Sequence, residues 1–451
     1  MLNAGTFALN ITPDRPLYLQ GYGNRTHPST GNLDPLEARV IVFDDGTTQA
    51  TIISVDLIGL DATSVTRIRK AAALSSSVPE ENVIVVCSHT HSGPAVQTLG
   101  DSPVDQAYIH WLEQTLGSAV GEASNSMVPV TLAVGEGSVE FNVNRRLRRS
   151  DGSVGGPNPF GAVDHRVRVL RLDPASVPSN AGGLGNTNLP KVDPVAILFS
   201  FACHPTVLMG SNYRYSSDYP GSARRFIETA YGGKGFMAAF LPGCFGNIRP
   251  HLVTPDGAFR SGTDHELTVL GRILGTEVVQ VAEGLTGEPV DDIAMGNRKI
   301  SLPYSHVPSK TELMAVPPDD NRRRWWADNL LDEIKRNGHL RDHDTGEVTV
   351  LRIGRHWIAT TPGETLIEIG WSIESGLAEL GIAKPTDGDM TLALGYSNGN
   401  SGYLCTSSAI QEGGYEPAKA YFYYLHPGPF APEIEQILTS TALNLAKGLT
   451  N

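Results

Sequence analysis

The stretch Asn82-Val83-Ile84-Val85-Val86-Cys87-Ser88-His89-Thr90-His91-Ser92-Gly93-Pro94 decides how this chain is read. Six residues of strand-like apolar character run into two histidines and then a Gly-Pro turn. A buried strand that stops this way places imidazoles at a carboxyl edge, where open α/β sheets hold their ligands. Imidazole is both the commonest protein ligand for zinc and the side chain best suited to proton transfer near neutral pH. If the strand continued, His89 and His91 would share a face. In a turn, one could hold a metal while the other serves as acid or base. An isolated His-x-His is common, so the rest of the chain must carry the argument.

The chain has 451 residues, 40% hydrophobic and 18% charged, a globular composition. Its 48 glycines and 30 prolines indicate many turns and long loops. A formal net charge of -13 argues against nucleic acid and against an anionic membrane surface as partners. No apolar run is long enough to predict a membrane span, and the first residues lack the features of a secretory signal. The four cysteines, Cys87, Cys203, Cys244 and Cys405, show no CxxC spacing. They are expected as reduced, buried fillers of a cytoplasmic protein, with a thiolate role as the alternative.

Hydrophobic periodicity predicts strands over 39–43, 51–55, 83–87, 130–134, 167–172, 195–201, 236–241, 293–302, 348–353 and 357–361. It predicts helices over 64–75, 106–123, 224–231, 265–283, 321–335, 364–380 and 432–447. A Gly- and Asn-rich loop is expected over 180–188. Alternating strands and helices define an α/β class with a mixed sheet, helices packed around it and long rim loops. Residues 1–451 are expected to form a single domain, with a division into two halves near 285–295.

Four segments repeat one grammar, an apolar strand followed by polar residues and a Gly or Pro. They are the His89-Thr90-His91 run, Ile197 to Cys203-His204-Pro205-Thr206, Ile358 to Pro362-Gly363-Glu364, and Leu392 to Asn398 leading to Tyr403. Each can deliver one polar side chain to a common rim. Two His, one Glu and one Tyr oxygen make a nitrogen and oxygen donor set suited to zinc, with a position left for water. Asp56 and Asp218 are candidates to orient a ligand histidine, with a capping or turn role as the alternative. The run Arg145, Arg146, Arg148, Arg149 reads mostly as loop surface. Gly395-Tyr396-Ser397-Asn398-Gly399 has the outline of a nucleophile elbow, but loop-forming residues follow where that motif needs a helix.

Taken in order, these pieces resemble the catalytic domain of the neutral (non-lysosomal) ceramidase family. The matching segments are Ile11-Thr12-Pro13, Asp34-Pro35-Leu36, His89-Thr90-His91-Ser92-Gly93-Pro94 and Asn144-Arg145. They continue through His204-Pro205-Thr206, Ser217 to Gly221, Gly246 to Pro250, Pro362-Gly363-Glu364, and Tyr403 with Tyr415-Glu416. The resemblance implies a zinc site with His89, His204, Glu364 and Tyr403 as ligands. It further implies His91 as neighbouring acid/base, Arg145 as a substrate anchor and Tyr415 as a donor near the reacting carbonyl. The chemistry is self-consistent: zinc lowers the pKa of bound water to about 7. A nearby His that takes and returns the proton is typically worth about 10²–10⁴ in rate.

Two departures shape the expected substrate. The family's Gly-Asp-x-Ser-Pro motif stands here as Gly246-Asn247-Ile248-Arg249-Pro250, so a serine nucleophile at that place is excluded. Arg249 and Asn247 are read as substrate-binding. Arg is a planar fork for carboxylate or phosphate, which points to a smaller, anionic substrate, with a structural ion pair as the alternative. The family's C-terminal immunoglobulin-like domain is not expected after the 432–447 helix, and no amphipathic lipid-facing segment stands out. The leading expectation is therefore a zinc-dependent amidohydrolase that uses zinc-bound water to cleave the N-acyl bond of a small molecule other than ceramide. The alternatives are a carbohydrate- or ester-cleaving metalloenzyme and a non-catalytic binding protein. A homo-oligomer is left open.

Overall fold

The strand before the histidines is fully buried and pairs in parallel with Gln49–Val55, register Val55 to Cys87. It forms one edge of a nine-stranded mixed sheet. From the opposite edge the order runs Met237–Pro242, Ala196–Phe201, Arg166–Pro174, Val128–Ser138, Asn3–Asn10, Glu37–Asp44, Gln49–Val55 and Val83–Cys87, with Glu288–Pro289 alongside Val128–Ser138. The sheet curls so that its edges meet: the Ser54 hydroxyl donates to the Phe240 carbonyl at 2.6 Å. The computed structural model describes residues 1–150, 152–175, 193–232 and 235–450. The glycine-rich loop expected over 180–188 lies outside them.

A four-stranded sheet, Ile293–Pro303, His343–Ile353, His356–Thr360 and Thr391–Leu394, packs against the first. Ile41, Leu198, Leu351 and Leu394 share one apolar cluster across the two sheets. Helices cover the outer faces, as the sequence expects of an α/β fold. Ala62–Ser75 packs on Gln106–Asn125, and Asp218–Tyr231 packs on Asp264–Glu283. Two of these helices begin on the caps their sequence offers: Asp61 accepts from Ser64 N–H, and Thr263 with Glu266 forms a capping box.

The architecture explains why one rim collects the chemistry. Val83–Cys87, Ala196–Phe201, Met237–Pro242, His356–Thr360 and Thr391–Leu394 all take part in parallel pairs. Bridges between Val86 and Ser397 and between Gly243 and Leu394 bring their carboxyl ends together. The loops that follow therefore converge from both sheets.

Several expectations need correction. The helix expected from 364 begins at Ile367; Glu364–Thr365 is instead a short strand in parallel register with Tyr403–Leu404. The arginine run is a strand, Asn142–Arg149, rather than loop surface. Asn3–Asn10 is a central strand that carried no clear alternation. Ser397 is buried and its hydroxyl donates to the Gly395 carbonyl at 2.7 Å, and no helix follows, so it is no nucleophile elbow.

Candidate metal centre

Cys87 ends its strand because the backbone then turns sharply. Ser88 N–H donates to Val55 O and His89 N–H to Leu57 O, both at 2.8 Å, and His89 takes φ 65°. A left-handed φ is uncommon for a non-glycine residue and is held only where surrounding bonds over-determine it. Tyr396 (φ 55°), Asn398 (54°) and Asp218 (54°) are likewise left-handed around the same rim. The strand does not continue, so the shared-face expectation for His89 and His91 fails. The turn instead sets their rings edge-on, centroids 4.9 Å apart.

The two innermost histidines are fixed in one tautomer. His89 Nδ1 lies 2.5 Å from the Ile58 carbonyl, and His204 Nδ1 lies 2.7 Å and 2.9 Å from those of Phe245 and Ile248. A carbonyl only accepts, so each Nδ1 carries the proton and each Nε2 presents a lone pair. Both Nε2 atoms face one oxygen, Glu364 Oε2, at 3.2 Å and 3.1 Å. Three such atoms meet in a buried site only with a proton or a cation between them, and a single metal ion would serve all three at once. The ring nitrogens of His89, His91 and His204 all offer a ligand atom within 4.8 Å of one another.

The protonation states agree with that need. Burial pushes the His204 pKa down to about 3, with Arg145 adding to the effect. Burial and the two neighbouring imidazoles push His91 well below its ordinary value. Burial alone would raise Glu364, but His89 and His204 outweigh it and hold the carboxyl well below its usual range. A lowered His204 pKa beside an ionised Glu364 matches what a divalent ion requires of its ligands, a neutral imidazole and a carboxylate. The donor set of nitrogen and oxygen suits zinc.

Around this centre the partners divide into two groups. Glu364 Oε1 accepts from the Tyr424 hydroxyl. Tyr403, opposite Glu364 in the short parallel ladder, accepts from Arg145 Nη2 at 2.8 Å. Burial raises the Tyr403 pKa well above normal against the pull of Arg145, so it stands as a phenol. Arg145 is itself pinned, donating from Nη2 to Gly246 O at 2.6 Å and from Nε to Glu416 Oε1 at 3.0 Å. Glu416 also accepts from Arg146 at 2.7 Å, so half of the arginine run is an internal scaffold. Tyr396 lies between the rings of His89 and Phe245, with centroids 4.3 Å from each, and forms the floor.

His91 differs from its neighbours. Neither ring nitrogen has a hydrogen-bond partner among the described residues, and the ring lines a cavity of about 390 Å³. Gly21 (φ 105°) lies against it, so close that a Cβ there would fall 2.5 Å from His91 Nδ1. Arg145, Glu364, Tyr403, Tyr415 and Arg249 line the same cavity. The half-exposed Tyr415 keeps its phenolic proton, because burial of the hydroxyl raises its pKa.

Other expected residues go elsewhere. Asn247 does not reach the cavity: its Nδ2 donates to Glu368 at 2.9 Å, and its Oδ1 accepts from Ile367 N–H at 3.1 Å. It positions Arg145 instead, whose N–H donates to the Asn247 carbonyl at 2.8 Å. Asp56 orients no histidine; it pairs with the fully buried Arg224. Asp218, raised to about 7 by burial, accepts from Tyr219, Leu208 and Val207 N–H groups and shapes the loop after His204. All four cysteines are free and buried, and burial raises their thiols, which rules out a standing thiolate. Tyr424, Tyr22 and Phe422 were missed; the aromatic run Tyr421-Phe422-Tyr423-Tyr424 was the available signal.

The arrangement of curled sheet and converging loops is that of the neutral ceramidase catalytic domain. A crystal structure of neutral ceramidase from Pseudomonas aeruginosa matches with TM-score 0.73 and 16% identity over 99% of this chain and 74% of that one. A ceramidase complexed with C2 matches with TM-score 0.72 and 16% identity over 100% of this chain and 75% of that one. In sequence, the chain is 22% identical to a neutral ceramidase of Mycobacterium tuberculosis over 94% of its own length and 74% of the relative's. No protein-family model matches. The resemblance read from the motifs thus extends along nearly the whole chain. No helix among the described residues is long and apolar enough to cross a membrane.

Proposed function

We propose that this chain is a metal-dependent hydrolase that cleaves an amide (N-acyl) bond, with residues 1–451 acting as one catalytic domain. The observation that carries the reading is the meeting of the His89 and His204 Nε2 lone pairs on Glu364 Oε2, at 3.2 Å and 3.1 Å. His89, His204, Glu364 and Tyr403 would hold a zinc ion. Bound there, zinc would supply a Lewis acid and a water acidic enough to act as nucleophile near neutral pH.

The protein's own groups account for the remaining steps. Backbone carbonyls of Ile58, Phe245 and Ile248 lock the ligand imidazoles, and Tyr424 locks Glu364. Such partners are conditions for tight binding, since their loss typically costs about 10–100-fold in metal affinity. His91 is neutral and unpartnered, so it can take a proton from the attacking water. It then returns that proton to the departing amine as the C–N bond breaks, leaving a carboxylate and a free amine. Tyr415 retains its proton and can donate to the oxyanion that develops on the carbonyl. Arg145 holds Tyr403 in place through its 2.8 Å bond.

Ceramide is the substrate named by the relatives, but the motif serine is Arg249 here and the substrate is proposed to be another N-acyl compound. A panel of N-acyl compounds, read by release of primary amine with and without a chelator, tests the reading. Chelator-sensitive amine release is expected. Release of alcohol or sugar without amine would transfer the site to ester or carbohydrate chemistry, and no release from any member would reject hydrolysis.

A further inference from the structure

Arg249 is the anomaly in the cavity. It is 9% exposed, and its Nε and Nη2 atoms have no hydrogen-bond partner among the described residues. No carboxylate among the described residues forms an ion pair with it; Arg145 and Arg146 instead share Glu416. One face of the guanidinium stacks on Phe259, with Cζ 4.3 Å from the ring centroid, which leaves the edge of the fork for the cavity it lines. Burying a cation without a counter-charge is costly. Burial lowers its pKa and Arg145 adds to that, with Tyr22, Cys203 and Asp218 opposing.

A second group points the same way. Thr206 is buried, lines the same cavity, and its hydroxyl has no partner. Their segments are joined by backbone, His204 N–H donating at 3.1 Å to the carbonyl of Ile248, the residue before Arg249, and both side chains line the one cavity. That carbonyl also orients the His204 ring at 2.9 Å, so the unpaired fork adjoins the metal centre rather than lying remote from it. A fork of N–H donors and a hydroxyl, both buried and without a partner among the described residues, is a seat for a planar oxyanion. A cavity of about 390 Å³ suits a small or medium molecule.

We propose that Arg249, aided by Thr206, binds a carboxylate on the substrate, so that the compound cleaved is an N-acylated amino acid or a related N-acyl carboxylate. This rests on the amide-hydrolase reading for the reaction but not for the binding. In a chain of net charge -13, such a cation also offsets the repulsion an anionic substrate would meet.

The test uses matched pairs, N-hexanoyl amino acids and their carboxamides, on the full chain, zinc-loaded for turnover and metal-free for binding. Binding is read by calorimetry with metal-free protein, and turnover by amine release. The acid is expected to bind about 10–100-fold more tightly than its amide, the range for a charge-assisted pair. In Arg249→Gln that ratio should fall to near one, while Arg249→Lys should keep part of it; the lysine variant guards against a glutamine variant that does not fold. An acid preference in binding without turnover would keep the carboxylate seat and reject the hydrolase reading. Turnover with equal use of acid and amide, equal binding of both, or binding of neither at millimolar concentration would overturn the carboxylate seat.

Discussion

Substituting Gly21 by alanine separates two roles that His91 could play. The new Cβ would sit 2.5 Å from His91 Nδ1, 2.7 Å from its Cγ and 2.9 Å from Ile58 Cδ1. Non-bonded heavy atoms prefer a separation of about 3.5–4.0 Å, so the imidazole must move by about 1 Å. The backbone adds its own cost, since φ is 105° at this position and a strained non-glycine residue costs on the order of 1–3 kcal/mol. A misplacement of about 1 Å in a catalytic group can cost about 10²-fold in rate. The three atoms nearest the added Cβ belong to His91 and Ile58 and none to His89, His204 or Glu364, so the metal is expected to stay. Gly21→Ala is therefore expected to lower kcat about 100-fold while keeping full metal content and a folded chain. The assay is amine release at saturating substrate, with elemental analysis on the same preparation. Full activity in a folded Gly21→Ala protein would refute His91 as the proton carrier. Loss of metal together with activity would make His91 a ligand instead.

Other expectations follow from individual contacts. Tyr424→Phe removes the donor to Glu364 Oε1 and should weaken metal binding about 10–100-fold in a chelator competition, with little change in melting temperature. Asp56→Ala leaves the fully buried Arg224 with Glu37 at 3.3 Å as its remaining ion-pair partner among the described residues, and should destabilise by about 3–5 kcal/mol in urea denaturation. His356 accepts from Met390 N–H at 3.1 Å and is lowered to about 4 by burial. The folded state then binds fewer protons than the unfolded chain between pH 4 and 6.5. Stability should fall as pH drops through that window, by up to about 3 kcal/mol, and His356→Asn should flatten this part of the profile.

The sequence was legible where local rules decide the outcome. An apolar run that ends in polar residues and a Gly or Pro announces a strand entering a rim loop, and this pattern singled out His89, His204 and Glu364, whose side chains meet in the structure. The order of those runs also carried the fold. What could not be read depends on partners far along the chain. Asn247 looked like a pocket residue because of its motif, yet Glu368, 121 residues away, takes its amide. Arg146 looked like surface because it sits in a basic run, yet Glu416, 270 residues away, buries it. Tyr424 supports Glu364 from 60 residues away and sits in an aromatic run that reads equally well as core. The helix expected from 364 failed at its start because Glu364 N–H is taken by the Gly402 carbonyl at 2.8 Å, a ladder no propensity signals. Arg249 was the reverse case: its type was visible, but only the absence of a nearby carboxylate among the described residues distinguishes a recognition fork from an ion pair.

Elemental analysis by mass spectrometry is the most direct measurement, made on the purified chain and on His204→Ala, each dialysed against zinc and then against buffer. About one zinc per chain in the parent is expected, lost in the variant while its circular dichroism stays that of a folded protein. No zinc in the parent after loading, or full zinc in a folded His204→Ala, would contradict a metal held between His89, His204 and Glu364.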